Sequence, residues 1–405
     1  MAVNTLTFEQ MATVLTSLVK QATGQTALTP TTTGDFVSVA QILVRANPDA
    51  VMNAISDVVG KTIFSIRPYS AKFKGLYMDT FRWGGIMRKL SIADEDWADD
   101  EAYKYPVTYD AGQVPPDGLG GTVDQWKIKK PHILQTNFYG ASVFGDHMTI
   151  TEDQLQTAFT GPEQFGSFLS LIMTNLDNRL EMARENISRG LVANVIGSLY
   201  DENNTTRVVN LLTEYNTLTG ITPALTTQTV YDPANFPAFM KWVYSRIAQI
   251  SDMMTENTTM FQTTIGGVPI LRHTPVEAQR IYLYSPARHQ IDARVLADTY
   301  HDSYLKYADV ESVNFWQSAL TPDTVNVTPT YTDTAGAVKT AGSAVNVSDV
   351  FGVIMDRDMA GYTELDRKVL STPVNASGLY RNIWVHAKQR VFMDNTEKAV
   401  LLLLA

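Results

Sequence analysis

The chain has 405 residues, 44% of them hydrophobic and 10% aromatic, which is enough apolar material for a large core and excludes disorder as the overall state. Its 32 Lys and Arg against 42 Asp and Glu leave a net charge of -10, so a general DNA-gripping protein, which draws affinity from clustered cations releasing counterions, is excluded. Cysteine is absent, which removes disulfide frameworks, thiolate metal sites and cysteine nucleophiles together and suits a reducing cytoplasm.

Only 18% of residues are charged, against roughly 25% in an average soluble domain. Thr, Asn, Gln and Ser carry much of the polarity, so wide faces can be buried against protein neighbours without stranding charge. Met1 to Gln10 lacks the basic and apolar pattern of a secretion signal. The apolar run Ala399 to Ala405 falls far short of the ~20 residues of a membrane-spanning helix. A soluble protein without membrane contact is expected.

Residues 5 to 20 place Leu6, Met11, Val14, Leu15, Leu18 and Val19 near a 3.6 period, predicting a short amphipathic helix followed by a polar tether. A second apolar stretch, Phe36 to Val59, breaks at Pro48 and closes at Gly60. From Ile63 to His147, basic residues precede an acidic run, Asp94 to Glu101, then a turn-rich piece, Gly112 to Gly121, then Lys127 to Lys130. Trp126, Ile128, Ile133 and Leu134 suit a returning β limb, so a long two-stranded excursion is predicted. Such a hairpin has no core of its own, and its expected support is a neighbouring subunit.

Pro162 opens the clearest helix, with Phe165, Phe168, Leu169, Ile172, Leu176, Leu180, Ala183, Ile187, Leu191 and Val195 at steps of three or four, and Asp177, Arg179, Glu181, Arg184 and Glu185 expected on its wetter side. A Thr- and Asn-rich loop to Pro233 is expected next, then a helix from Phe236 to Met254. Ile265 to Leu271 reads as strand-like, Thr321 to Ser348 as alternating strands about a turn near Gly336, and this middle region as a separate α/β lobe. Phe351 to Met355, Ile383 to Phe392 and a terminal strand from Lys398 to Leu404, packed on both faces, complete the chain.

No chemical motif is complete. Gly60, Lys61 and Thr62 imitate the end of a phosphate loop, but Ile55 stands where that motif needs glycine. Asp356 and Asp358 flank Arg357 after a strand, where self-neutralisation explains them better than a metal does. Ser285, His289 and Asp292 cluster, yet Pro286 follows the serine where a nucleophile elbow has glycine. His132, His147, His273, His301 and His386 show no i, i+4 pair. The acidic run is different, because it encloses Trp97: Asp99, Glu101 and their neighbours can meet Lys or Arg on an adjacent copy while Trp97 supplies an apolar anchor.

Gly85 to Ile92, Phe159 through Phe165 and Phe168 into the long helix, and Val353 to Asp358 followed by Gly378, Leu379 and Tyr380, together with the order of the pieces, resemble the major capsid proteins of tailed double-stranded DNA bacteriophages. The layout is most similar to the major head proteins of small short-tailed phages. The resemblance implies an α+β, Hong Kong 97-like fold: an N-terminal arm over 1–60, an extended E-loop with a flanking P-domain strand over 61–147, and P-domain over 148–230 with a spine helix at about 162–199. An A-domain over 231–350 and P-domain return strands over 351–405 follow.

It further implies a structural protein, not an enzyme, that assembles into pentamers and hexamers of an icosahedral shell around double-stranded DNA. No cofactor or metal, no sequence-specific DNA contact and no crosslinks are expected. A separate scaffolding protein and a portal are implied partners, with assembly in the bacterial host cytoplasm and residence in the virion capsid. The expected inter-subunit contacts are Trp97, Asp99, Glu101, Trp126, Lys127, Lys129 and Lys130 on the loop and Phe8, Met11 and Leu15 on the arm. An encapsulin-like compartment shell is the first alternative, and a cytoplasmic hydrolase using Ser285 or His289 the remote one.

Overall fold

The computed structural model describes residues 30–46, 72–78, 86–93, 132–139, 142–151, 162–267, 270–285 and 309–405, with isolated positions between 12 and 20 and at 153 and 154. The isolated positions from 12 to 20 are helical, and Leu15 and Val19 among them are 0% and 1% exposed. Helix α1, Thr33–Ala46, starts from a reciprocal cap in which the Thr32 amide donates to Asp35 Oδ2 and the Asp35 amide to Thr32 Oγ1, both at 3.2 Å. Those bonds satisfy amides that a helix start leaves orphaned.

Strands β1, Ile86–Ala93, and β2, His132–Tyr139, pair antiparallel from Ile86 opposite Tyr139 to Ala93 opposite His132. Strand β3, Ser142–Thr151, follows. Helix α2, Pro162–Asp201, has 40 residues and is therefore on the order of 60 Å long. Its periodic apolar positions end in a continuously buried stretch, Leu191 to Leu199 except Asn194.

The chain then forms β4, Val208–Asn210, α3, Leu211–Thr219, and α4, Phe236–Thr255. Strands β5, Gln279–Tyr284, and β6, Asp309–Val313, precede four three-residue strands, β7 to β10, between Val325 and Val347. Strands β11, Val350–Asp356, β12, Ala360–Ser371, β13, Tyr380–Met393, and β14, Ala399–Leu403, complete the fold.

The central sheet runs β4-β14-β11-β5-β6, parallel at its two outer pairs and antiparallel within. Both faces are covered. Val400, Leu402, Ile354, Ile281 and Leu283 meet Phe239, Val243, Ile247 and Ile250 of α4 and Leu211 and Leu212 of α3. Leu401, Leu403, Val353, Met355 and Tyr282 meet Val192, Val195, Ile196 and Leu199 of α2. A strand alternates faces with period two, so a strand between two helical layers must be apolar throughout. That condition explains the unbroken Ala399 to Leu403.

A second sheet, β12-β13-β3, is antiparallel. Its inner side, including Ile383 and Ala387 at 1% and 2% exposed, lies toward α2. Arg184 of α2 bonds Glu364 of β12, and Arg179 reaches Asp146 of β3 at 2.9 Å.

Several expectations are corrected. The central sheet joins strands from both sides of the expected boundary between 350 and 351, since β5 pairs with β11; strand propensity does not say which strands pair. The expected loop before Pro233 contains β4 and α3. Asn210 caps α3 by accepting from the Thr213 amide at 3.2 Å, and Gly220 closes it at φ 61°, a left-handed position that glycine fills without strain. Residues 265–267 form no strand, because Gly266 and Gly267 turn the chain at φ 63° and 71°. Glu185 and Arg189 are buried, and Arg184 pairs inward, so the charges of α2 do not simply mark its wet side.

Candidate functional site

The hairpin β1–β2 has two unlike faces. Residues opposite each other share a face, so Lys89 and Ser91 side with Thr136, Leu134 and the neighbouring Phe138, while Arg88 and Leu90 side with Asn137, Gln135 and the neighbouring Ile133. The second face is open, with Leu90 65% and Ile133 60% exposed.

The first face rests on its own chain. Phe138 packs on Phe392 of β13 at 5.6 Å between ring centroids. Beyond it lies the turn Asp394 to Lys398, polar at every position and buried at every position. Lys89 reaches Asp394 at 2.7 Å and also bonds Glu397. Arg272 bonds Glu397 and donates to Ser91 at 2.9 Å and Thr396 at 2.8 Å. Two cations therefore balance two carboxylates between the hairpin and the body. The described base of the excursion is thus supported in cis, contrary to its expected support by a neighbour; a buried polar turn needs counter-charge, and Lys89 supplies it.

The two carboxylates respond differently. Burial opposes ionisation of Asp394, but the charge and hydrogen bond of Lys89, with bonds from Thr396, outweigh it and hold its pKa below the ordinary value. For Glu397 burial prevails over Lys89 and Arg272, and the pKa lies above the ordinary value. Beneath the turn, Lys398 donates to the Glu256 carbonyl at 2.6 Å and to Thr258 Oγ1 at 3.1 Å.

The hairpin root is pinned on α2 and on the edge of the central sheet. The Lys72 amide donates to Glu185 at 3.3 Å and the Phe73 amide to Glu311 at 2.7 Å. Phe73, at φ 61°, places its ring 5.1 Å from that of Tyr282. Arg189 bonds Glu185 at 2.7 Å and covers the Phe315 ring at 3.8 Å. Beside the root is an open cleft of about 800 Å³ whose lining includes Tyr77, Arg272, His273, Asp356, Arg357 and Glu397.

Of the expected contact residues, Trp97, Asp99, Glu101, Trp126, Lys127, Lys129, Lys130, Phe8 and Met11 lie outside the described residues, and Leu15 is enclosed by its own chain. The Gly60, Lys61 and Thr62 motif, His289 and Asp292 also lie outside them. Ser285 is buried at the end of β5. Asp356 accepts from Thr274 Oγ1 at 2.6 Å and the Asp358 amide at 2.7 Å, which closes the turn from β11 to β12. Among the described residues no group of three or more His, Asp or Glu could hold a metal ion, and no helix is long and apolar enough to cross a membrane.

Sequence reasoning missed Asp394, Glu397 and Arg272. Asp394, Asn395 and Thr396 carry the signal of an Asx turn between two apolar strands, but nothing local says that a hairpin some 300 positions earlier closes over it.

The fold has solved counterparts. A capsid structure of Staphylococcus phage Andhra superposes with a TM-score of 0.54 at 10% identity, covering 85% of this chain and 87% of that one. A structure of native bacteriophage P68, described for its head fiber and inner core protein, gives 0.51 at 11% identity, covering 85% and 88%. No curated protein matches the chain. Residues 15–403 match the family described as Phi29-like phage major capsid protein. By that match over nearly its whole length, the chain belongs to the Phi29-like phage major capsid proteins, which are structural components and not enzymes.

Proposed function

We propose that many copies of this chain form the pentamers and hexamers of an icosahedral head that encloses double-stranded DNA, on a Hong Kong 97-like subunit. In that reading β1–β2 is the base of the E-loop, α2 the spine helix and β12-β13-β3 the P-domain sheet. Residues 231–350, with α4, β5 and β6, supply the A-domain, and residues 351–405 the P-domain return strands. Trp97, Asp99, Glu101, Trp126, Lys127, Lys129 and Lys130 on the loop, and Phe8 and Met11 on the arm, meet neighbouring copies. A separate scaffolding protein and a portal take part in assembly in the host cytoplasm.

The observation that carries this reading is the hairpin. Its inner face is bonded to its own subunit, whereas its outer face presents Leu90 and Ile133 at 65% and 60% exposed, an apolar pair that gains from burial against another molecule. The role is mechanical: a subunit held by several neighbours sums many modest contacts into resistance against the pressure of packed DNA. Negative-stain microscopy of the purified protein tests it. Polyhedral shells, tubes or hexameric sheets are expected, and a monomer that stays monomeric at high concentration overturns it.

A further inference from the structure

Three loops enclose an open cleft of about 610 Å³. Residues 202–206 follow α2, residues 258–264 follow α4, and Thr334 comes from the turn between the paired strands of 330–332 and 338–340. The Gly266 amide holds that turn in place by donating to the Thr334 carbonyl at 2.8 Å. Six of the ten lining residues are threonines, Thr206, Thr258, Thr259, Thr263, Thr264 and Thr334, and a hydroxyl both donates and accepts.

The charges at the cleft are already matched. Glu202 accepts from Arg207 at 2.6 Å, from Thr263 Oγ1 at 2.9 Å and from Asn395 Nδ2. Lys398 donates to the Glu256 carbonyl and to Thr258 Oγ1. What is left unmatched is neutral. Gln262, 5% exposed, turns its Nε2 to the Ile270 carbonyl, and Asn395, 1% exposed, turns its Nδ2 to Glu202. Those two acceptors fix which end of each amide is oxygen, and Gln262 Oε1 and Asn395 Oδ1 have no partner among the described residues. Two buried carbonyl oxygens therefore lack donors, a state that native structures seldom leave without a purpose.

The backbone beside Gln262 is strained. Phe261, buried, has φ 68°, and Asn203 on the facing loop has φ 49°. A bulky side chain enters the left-handed region only where its surroundings impose it, and such positions gather at ligand-binding sites. Here the Ala399 amide donates to the Phe261 carbonyl at 2.9 Å and the Thr263 amide to the Asn395 carbonyl at 3.2 Å. Both bonds fasten the segment that carries Gln262.

We infer that this cleft binds an uncharged polyhydroxylated ligand, a neutral saccharide. Among the described lining residues a phosphate or carboxylate meets no unspent cation, and an ammonium or metal ion meets no unspent carboxylate. A wholly apolar ligand would strand the hydroxyls. Sugar hydroxyls, in contrast, supply the donors that the two carbonyl oxygens lack and exchange bonds with the threonines. Met260, 37% exposed, offers apolar surface to the C–H face of a sugar ring. One subunit builds the whole cleft, so the inference goes beyond the shell reading and stands apart from it.

The full-length chain is applied to an array of neutral mono- and oligosaccharides printed beside sialylated and phosphorylated ones. Binding to a neutral saccharide is expected, competed by the same sugar free in solution. It should weaken about tenfold or more in Thr259→Val/Thr334→Val, as for the loss of one or two hydrogen bonds. Both positions are exposed, so the substitution removes hydroxyls and leaves the core alone. Should that variant not fold, Met260→Glu, which sets an unmatched charge at the cleft, is read in its place. No binding to any neutral saccharide, a preference for the charged ones, or equal binding by chain and variant overturns the proposal, and none of these outcomes bears on whether the chain forms shells.

Discussion

Lys89 Nζ of β1 stands 2.7 Å from Asp394 Oδ2 in the turn after β13, so one side chain joins the hairpin to a buried polar segment far along the chain. Lys89→Met leaves Arg272 alone to balance two carboxylates. Because the lysine side chain is 21% exposed, solvent moderates the loss, and a cost of about 1–3 kcal/mol is expected. Hydrogen exchange should quicken in β1 and β2 and stay unchanged in α4. Unaltered protection of the hairpin would show that packing of Phe138 on Phe392 suffices to hold it.

The same cluster gives stability two opposed slopes with pH. Asp394 has a folded pKa below its ordinary 3.8, so its contribution is complete above that value and disappears as pH falls through the folded one. Glu397 has a folded pKa above its ordinary 4.5, so the folded state binds the extra proton, and stability declines as pH rises from 4.5 through the folded value. Urea melts across pH should lose the lower slope in Asp394→Asn and the upper slope in Glu397→Gln.

Arg207 is fully buried, with Glu202 at 2.6 Å and Thr263 Oγ1 at 2.6 Å. Arg207→Met removes the counter-charge of a carboxylate whose side chain is only 10% exposed, and a loss of about 3–5 kcal/mol is expected. Adding Glu202→Gln should restore more than half of it in thermal melts. If the double variant were no more stable than the single one, the penalty would lie in lost packing and not in an uncompensated charge.

Two glycines should respond with opposite signs. Gly190 of α2 is exposed and a Cβ there meets nothing within 4 Å, so Gly190→Ala should stabilise the subunit by about 0.5–1 kcal/mol. At Gly352 of β11 a Cβ would come within 2.7 Å of Leu283 Cδ2 and 2.8 Å of the Tyr282 carbonyl oxygen. The central sheet must shift to admit it, and Gly352→Ala should lower the melting temperature or abolish soluble expression.

Deleting Asp94 to Gly121 should leave a soluble, folded monomer that does not assemble, because the base of the hairpin keeps its bonds to the body while its extension is lost. Circular dichroism and light scattering check the two halves of that statement. Normal shells from the deletion would remove the loop from the assembly mechanism.

Legibility followed burial geometry. The long helix from Pro162, the helix from Phe236 and the terminal strand could be read because each repeats its apolar residues at the period of its own backbone. Helix α3 was hidden by Thr213, Thr217 and Thr219, poor helix formers, of which two bond back to the helix, the Thr217 hydroxyl to the Thr213 carbonyl and the Thr219 hydroxyl to the Tyr215 carbonyl, both at 2.8 Å. Strand β12 was hidden by Glu364, Asp366, Arg367 and Lys368, whose charge disguises a pleat that is buried only at its start. The order of strands and the partners of Lys89 are properties of long-range closure, which no local pattern encodes.

That closure has a kinetic side. Val208 pairs with Leu401, and Ile281 with Ile354, so the central sheet forms only after long stretches of chain have been brought together at an entropic cost that no early contact repays. Refolding from denaturant should therefore be slow and should compete with aggregation through sheet faces awaiting their helices. Yields should improve as the protein is diluted, the reverse of what promotes particle formation by finished subunits.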